Sequence, residues 1–400
     1  MKITVILSIV IIISAIMAIM QGCSELEPPA PIDDEVLDGP LEGLSYQLQA
    51  QHLAGDEAFS DVFTAETGLG PLFVATSCVG CHAGDGKGHP FTTLTRFGQV
   101  DSMSNQFLHL GGPQLQNRSI PGYEPEQIPE GATFSKMTPP AVTGLGFLEL
   151  VSDGDILAMT DPEDADADGI SGVPNWIDIP SFVTPSPGAA TRGGKYIGRF
   201  GKKAGAYNLL HQTVEAYNQD IGITSTFEPV DVYSGNAIGP EVTDKAVRDV
   251  VFYLQTLKAP VQRDQDAPEV IHGGDIFVQI GCADCHTQTL TTGYSPVEAL
   301  SYKEFHPYTD LLLHDMGPGL DDGYTEGTAK TSEWRTPPLW GLGLSPDAQG
   351  GQFFLMHDGR AKSIDEAIQL HGGEAGKSKN GFNQLSQQER DGLIKFLKSL

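Results

Sequence analysis

The chain is poor in cysteine and in basic residues. Five cysteines in 400 residues are too few for a disulfide scaffold of this size. Lys and Arg number 24 against 52 Asp and Glu, a formal net charge of −28. That balance argues against a nucleic-acid partner, whose phosphates need a basic face. It also argues against a polybasic grip on anionic lipid. Runs of strictly alternating polar and apolar residues are scarce, which weakens an all-β reading. Glycine and proline are plentiful instead, at 47 and 27, and predict many turns and long connections. Hydrophobic residues make up 40%, enough for a sizeable core and about two to three domains at roughly 150 residues each.

The five cysteines divide into one and four. Lys2 and the apolar run Ile3 to Met20 lead into Gln21-Gly22-Cys23. A basic start, an apolar stretch and small residues before a cut describe a secretory signal. The Cys after Gly22 resembles the end of a bacterial lipoprotein signal over residues 1–22, with Cys23 the lipidated N-terminus. The alternative is an uncleaved transmembrane anchor, since the run is just long enough to span a bilayer. Both readings export the chain and tether it to a membrane, facing periplasm or cell exterior. Residues 23–40, rich in proline and acids, then form a flexible tether.

The other four cysteines make two copies of one pattern. Cys78-Val79-Gly80-Cys81-His82 is the first, and Cys282-Ala283-Asp284-Cys285-His286 the second. C-x-x-C-H attaches haem c. Two thiols about one turn apart each add to a haem vinyl group, and the next residue, His, ligates the iron from below. Zinc would need more Cys or His at similar spacing. One such pattern arises by chance on the order of 10⁻³ times in this composition, so two copies imply two covalent haems c.

The repeat extends beyond the motifs. Thr138-Pro139-Pro140-Ala141-Val142-Thr143-Gly144-Leu145-Gly146 follows the first His by 56 residues. Thr336-Pro337-Pro338-Leu339-Trp340-Gly341-Leu342-Gly343 follows the second by 50. Each half ends in an amphipathic helix. Val247, Val250, Val251, Leu254 and Leu257 share a face in one, and Leu393, Phe396, Leu397 and Leu400 in the other. Ser386 with Glu389 reads as a capping box. The expectation is a mainly α fold of two haem c domains, 41–260 with inserted loops and 261–400, both with long Gly/Pro-rich loops.

A haem with two axial ligands carries electrons, whereas one with an open position can bind a small molecule. Ser363 and Glu366 form another capping pattern. Ile364, Ala367, Ile368 and His371 then follow at helical spacing, which points His371 inward beside Gly372-Gly373. For the first haem the distal side is left open among His89, His109, His211, Met103, Met137 and Met159, all within its domain, with His89, seven residues after the motif His, kept as a candidate.

The stretches Asp310 to Gly317, Glu333 to Gly341, Met356 to Ala361 and His371 to Ala375 resemble the di-haem c-type oxidoreductase family. Its members are described as peroxidases or thiol oxidoreductases. More distantly the chain is similar to bacterial di-haem cytochrome c peroxidases and MauG-type enzymes. The resemblance covers nearly everything from Leu41 onward. It implies that His357-Asp358-Gly359 lies near the haem interface, with His357 a candidate catalytic residue. It also implies that the residue fourteen places on, here His371, is the distal ligand of the second haem. In peroxidase relatives a distal His follows the motif His by sixteen residues; here that position is Gly98. Glu149 resembles the distal acid of those relatives by position. The Trp common in the family is absent from Phe200-Gly201-Lys202-Lys203-Ala204.

Asp164, Asp166 and Asp168 with Gly169 match the front half of a calcium loop, while position 12 is Asn175 rather than Glu. Relatives bind calcium between their haem domains, which suits this loop. The expected protein is thus an exported di-haem oxidoreductase, peroxidase-like, with one open haem and one relay haem held by His286 and His371. Its substrate would be peroxide or a similar small oxidant, and its electron donor a small redox protein. The alternatives are a pure electron-transfer cytochrome, a thiol oxidoreductase, or an accessory protein in iron acquisition.

Overall fold

The chain folds around two helix pairs, each pinched together at a glycine. The structure, a computed structural model, describes residues 37–100 and 105–400. The apolar leader, Cys23, most of the proposed tether and Met103 lie outside the described residues. No helix among the described residues is long and apolar enough to cross a membrane.

In the first pair, helix Tyr46–Ser60 packs on helix Asp244–Thr256. Ser45 caps the first by accepting the Leu48 amide, and Thr243 caps the second by accepting that of Ala246. Val247, Val250 and Leu254 are buried, as their spacing predicts, and Leu257 is buried just past the helix end. A Cβ on Gly55 would lie 2.1 Å from the Asp249 carbonyl, so only glycine permits this approach. In the second pair, helix Pro268–Gln279 packs on helix Gln387–Ser399. The Ser386–Glu389 capping box is formed in full. Gly273 here plays the part of Gly55: its Cβ would lie 2.2 Å from the Gly392 carbonyl.

The Thr-Pro-Pro repeats lock onto these pairs in the same way. A Cβ on Gly146 would fall 2.0 Å from the Gln255 carbonyl, and one on Gly343 would fall 1.9 Å from that of Lys398. Each Gly-Leu-Gly turn therefore sits on the C-terminal end of its own half's last helix. The repeat seen in sequence is a repeat of packing.

Helices carry the core, but they make up less of the chain than a mainly α fold would suggest. Helix makes up about 33% of the chain, and small antiparallel sheets take part of the rest. Leu94–Phe97 pairs with Phe134–Met137, and Leu313–Asp315 with Glu333–Arg335. These strands are three or four residues long. Alternation over so short a span leaves no readable signal.

Residues 37–400 cluster as one unit. The larger core surrounds the first helix pair and also takes Leu290, Phe305, Leu312 and Trp340 from the second half. A smaller core surrounds the second pair, with Phe277, Phe382, Leu393 and Phe396 at its centre.

Candidate functional site: a cavity shared by the two cysteine motifs

Both cysteine motifs open onto one cavity of about 450 Å³. Cys78, Cys81 and His82 line it from the first half, and Cys282, Cys285 and His286 from the second. Each motif is one tight turn. The amides of Cys81 and His82 donate to the Cys78 carbonyl at 3.0 Å, and that of His286 to the Cys282 carbonyl at 3.0 Å. This turn brings both thiols and the imidazole of a motif to the same wall.

The imidazoles are held alike. His82 Nδ1 donates to the Pro140 carbonyl at 2.8 Å, so the Thr-Pro-Pro loop fixes its ring. His286 Nδ1 donates to the Tyr308 carbonyl at 3.0 Å. His371, the C-cap of helix Ile364–Leu370, donates from Nδ1 to the Ala367 carbonyl at 2.7 Å and also lines the cavity. A ring whose Nδ1–H is bound to a carbonyl keeps its lone pair on Nε2, the arrangement that suits a metal ligand. Burial pushes His82 and His286 down to about 4 and lowers His371 as well, so all three are neutral at physiological pH. His371 is near enough to His286 to depress it further.

The thiols are protonated. Burial pushes Cys78, Cys81 and Cys282 up to about 12 and raises Cys285 too. A thiolate-bound metal or a reactive dithiol needs the opposite shift. A thiol that adds covalently to an apolar macrocycle does not. The donor set therefore fits haem c: apolar walls, paired thiols and neutral, oriented imidazoles.

On the first motif's side the cavity brings no second histidine from that half among the described residues. His89 stacks on Phe91, meets Phe354 edge-on and accepts the Phe91 amide. His109 is exposed. His211 is buried with both nitrogens engaged, Nδ1 by the Tyr207 amide and Nε2 by Glu215. Met159 packs on the larger core, whereas Met137 does line the cavity.

Glu149 is the candidate distal acid. It does not line the cavity. Its buried carboxylate accepts the Leu209 amide at 2.7 Å and the Gln255 side chain at 2.6 Å, which braces two helices. The carboxyls that do line the cavity are Glu215, Asp220 and Glu326. Glu326 is paired with Arg96 and Glu215 with His211. Asp220 sits in the π-helical turn Ala216–Ile221, and burial pushes it up to about 6. Its charge is felt at both Cys78 and Cys81, which places it beside the first motif.

His357 lies at the meeting of the halves. Its carbonyl accepts the Thr138 amide at 2.7 Å. Its ring stacks on Trp334, with centroids 3.7 Å apart and planes 11° from parallel. The Lys203 ammonium sits 3.8 Å from the centre of that Trp ring on its own approach. Thus the segment that lacks a Trp of its own, Phe200 to Ala204, receives Trp334 from the second half.

One residue of this site takes only part of its setting from nearby sequence. His314 Nε2 contacts Asp310 and Nδ1 contacts Glu374, each at 2.8 Å, and Cys285 Sγ lies 3.5 Å from Nδ1. Burial alone would lower its pKa, but Asp310, Cys285 and Glu374 outweigh burial and hold it well above the usual range. Glu374 also accepts the Ser171 hydroxyl at 2.6 Å, so it ties the acidic loop to the second motif. The i, i+4 spacing of Asp310 and His314 was visible, but Glu374 is 60 residues away.

In the acidic loop the converging carboxylates are Asp161, Asp164 and Asp166, whose oxygens lie within 4.8 Å of one another. Asp168 is turned aside and accepts the Ile170 amide at 2.8 Å. Asn175, at the twelfth position, is buried and donates to the Lys203 and Glu326 carbonyls.

The chain belongs to the family described as "di-haem oxidoreductase, putative peroxidase", whose model matches residues 133–400. That span contains the second motif, His357 and His371. No curated protein matches the chain. Among solved structures it is similar to Kuenenia stuttgartiensis hydrazine synthase, determined under 20 bar xenon. The identity is 14% and the TM-score 0.38, over 94% of this chain and 98% of that one.

Proposed function

We propose that the protein is an exported, membrane-tethered di-haem c-type oxidoreductase that reduces peroxide or a similar small oxidant. The observation that carries this reading is the unequal ligand set on one cavity. His286 and His371 form a neutral, backbone-fixed pair in the second half, while His82 has no histidine partner from its own half. The four motif cysteines would hold two haems covalently, with His82 and His286 below the irons and His371 completing the second. When bound, the haems supply the iron that exchanges electrons with the oxidant.

The chain's own residues then have defined tasks. His286 and His371 keep the second centre closed to small molecules, which suits storing or passing an electron. With a haem bound at the first motif, no further histidine of that half among the described residues would compete with the oxidant for its iron. Reduction of peroxide to two waters takes two electrons and two protons. Asp220, in place of Glu149, is the carboxyl suited to deliver a proton there, because at about 6 it is protonated in mildly acidic solution. The expected pH profile follows in sign: turnover is highest below pH 6 and falls as Asp220 ionises above it. Asp220→Asn should slow peroxide-driven reoxidation of the reduced protein by roughly 10²–10⁴-fold while both haems are retained. Stopped-flow absorbance tests this, and an unchanged rate removes Asp220 from the reaction.

A second reading has one observation in its favour. Met137 lines the cavity and could close the first haem, leaving a pure electron-transfer cytochrome. That protein would show no turnover with peroxide.

The tether and the donor complete the proposal. Cys23 would carry the lipid, and the formal charge of −28 suits a small basic redox protein as electron donor. Calcium would be held by Asp161, Asp164 and Asp166, with Asp168 outside the set. Chelation should then lower the thermal midpoint, and an unchanged midpoint would dismiss calcium.

A further inference from the structure

Buried cations in this chain are compensated almost everywhere. Arg199 pairs with Asp153 and Arg96 with Glu326. Lys203 donates to the carbonyls of Lys330, Thr331 and Glu333 at 3.0, 3.1 and 2.6 Å. Two half-buried lysines that line the cavity break this pattern. Lys202 Nζ makes no hydrogen bond or ion pair among the described residues. Lys87 Nζ reaches, among the described residues, only the Met356 carbonyl, at 3.3 Å. Arg335 lines the same cavity, and its buried guanidinium, like Lys203, is answered by carbonyls, those of Gly201 and Thr336 at 2.9 and 3.2 Å.

The three form one group. The Arg335 amide donates to the Lys202 carbonyl at 3.0 Å, which ties strand Glu333–Arg335 to the first half. Lys87 and Arg335 each depress Lys202, and burial is the larger cause. Asp358 is the carboxylate that acts on both lysines, but it is already held by Arg360 at 2.8 Å. Like charges gathered in a desolvated wall are costly unless an anion answers them. The group also lies between the motifs. Lys202 acts on His82, and Arg335 feels Asp310, the partner of the His314 that touches Cys285.

We propose that Lys87, Lys202 and Arg335 form a seat for the propionate carboxylates of the two haems, Lys202 toward the first and Arg335 toward the second. The proposal rests on the di-haem reading above. A haem c brings two carboxylates on short chains from the ring edge away from the thioethers. A guanidinium fork and an ammonium are the groups that bind such carboxylates. Seating both haems on one cation group at the meeting of the halves would couple their charges.

The test uses the full-length holo-protein with Lys202→Met, Lys202→Arg, Arg335→Gln and Lys87→Met. Haem content is measured first, and two haems per chain in the wild type and the variants leaves the di-haem reading intact. Potentiometric titration follows. With a cation removed, uncompensated propionate charge favours the ferric iron, so the midpoint potential falls. The expected fall is about 59 mV, a tenfold change in the one-electron equilibrium. It should appear at the first haem in Lys202→Met and at the second in Arg335→Gln, with Lys202→Arg close to wild type. Lys87→Met should lower at least one of the two. Folded variants with two haems and unchanged potentials overturn the seat. If their KM for the oxidant rises at the same time, the group binds an anionic substrate instead. A wild type without haem removes the di-haem reading itself.

Discussion

Replacing Cys282 and Cys285 together by alanine should leave one covalent haem per chain instead of two. Cys78→Ala with Cys81→Ala should do the same for the first site, and all four substitutions should leave none. The basis is local. Each motif is a closed turn whose thiols and imidazole face one cavity wall. The four cysteines are free of disulfides and half-buried, and burial pushes the Cys78 and Cys282 thiols up to about 12. Covalent haem survives denaturation, so haem staining of a denaturing gel and the absorbance of the alkaline pyridine complex count it directly. A quadruple variant that still holds haem after denaturation would sink the c-type assignment.

The second large effect is expected at His371. His371→Ala should convert the second haem from six-coordinate low-spin to high-spin, and it should then bind cyanide. Added imidazole should restore the low-spin spectrum, because the substitution leaves a space of the lost ring's size in the cavity wall. His371→Met should keep the haem low-spin and raise its potential, since thioether ligation favours the ferrous state relative to imidazole. The Ala367 carbonyl that fixes His371 Nδ1 explains why the ring at a helix C-cap is so placed. Absorbance and electron paramagnetic resonance of the variant check this. A spectrum identical to the wild type would mean that another residue ligates the second iron.

Local signals in the sequence were reliable guides. The C-x-x-C-H turns, the Ser386 capping box and the buried faces of the two terminal helices depend on residues within a few places of one another. The Thr-Pro-Pro and Gly-Leu-Gly repeats were visible as strings, but their physical reason is tertiary: Gly146 and Gly343 touch helix ends far along the chain. The Ser363 cap was legible only in part. Ser363 accepts the Glu366 amide, but Glu366 answers the Lys362 amide rather than that of Ser363.

What the sequence could not disclose lies at long range. Most of the short strands find their partners well outside any local window, as where Leu72 pairs with Ser119 and Leu94 with Met137. Trp334 meets Lys203 across the two halves and stacks on His357 within its own, and Glu374 reaches His314 from a different loop. Glu149 matched a family position, yet its carboxylate is committed to Leu209 and Gln255, contacts that no spacing rule reveals. The cavity cations Lys87, Lys202 and Arg335 look like ordinary surface charges in the sequence. Their meaning comes only from the shared wall they line.

The central claim is one cavity with two unlike haem sites. Electron paramagnetic resonance of the resting wild-type protein, before and after cyanide, tests it most directly. The account predicts one low-spin ferric haem that ignores cyanide and one high-spin ferric haem that cyanide converts to low-spin. Two low-spin haems, both inert to cyanide, would contradict it.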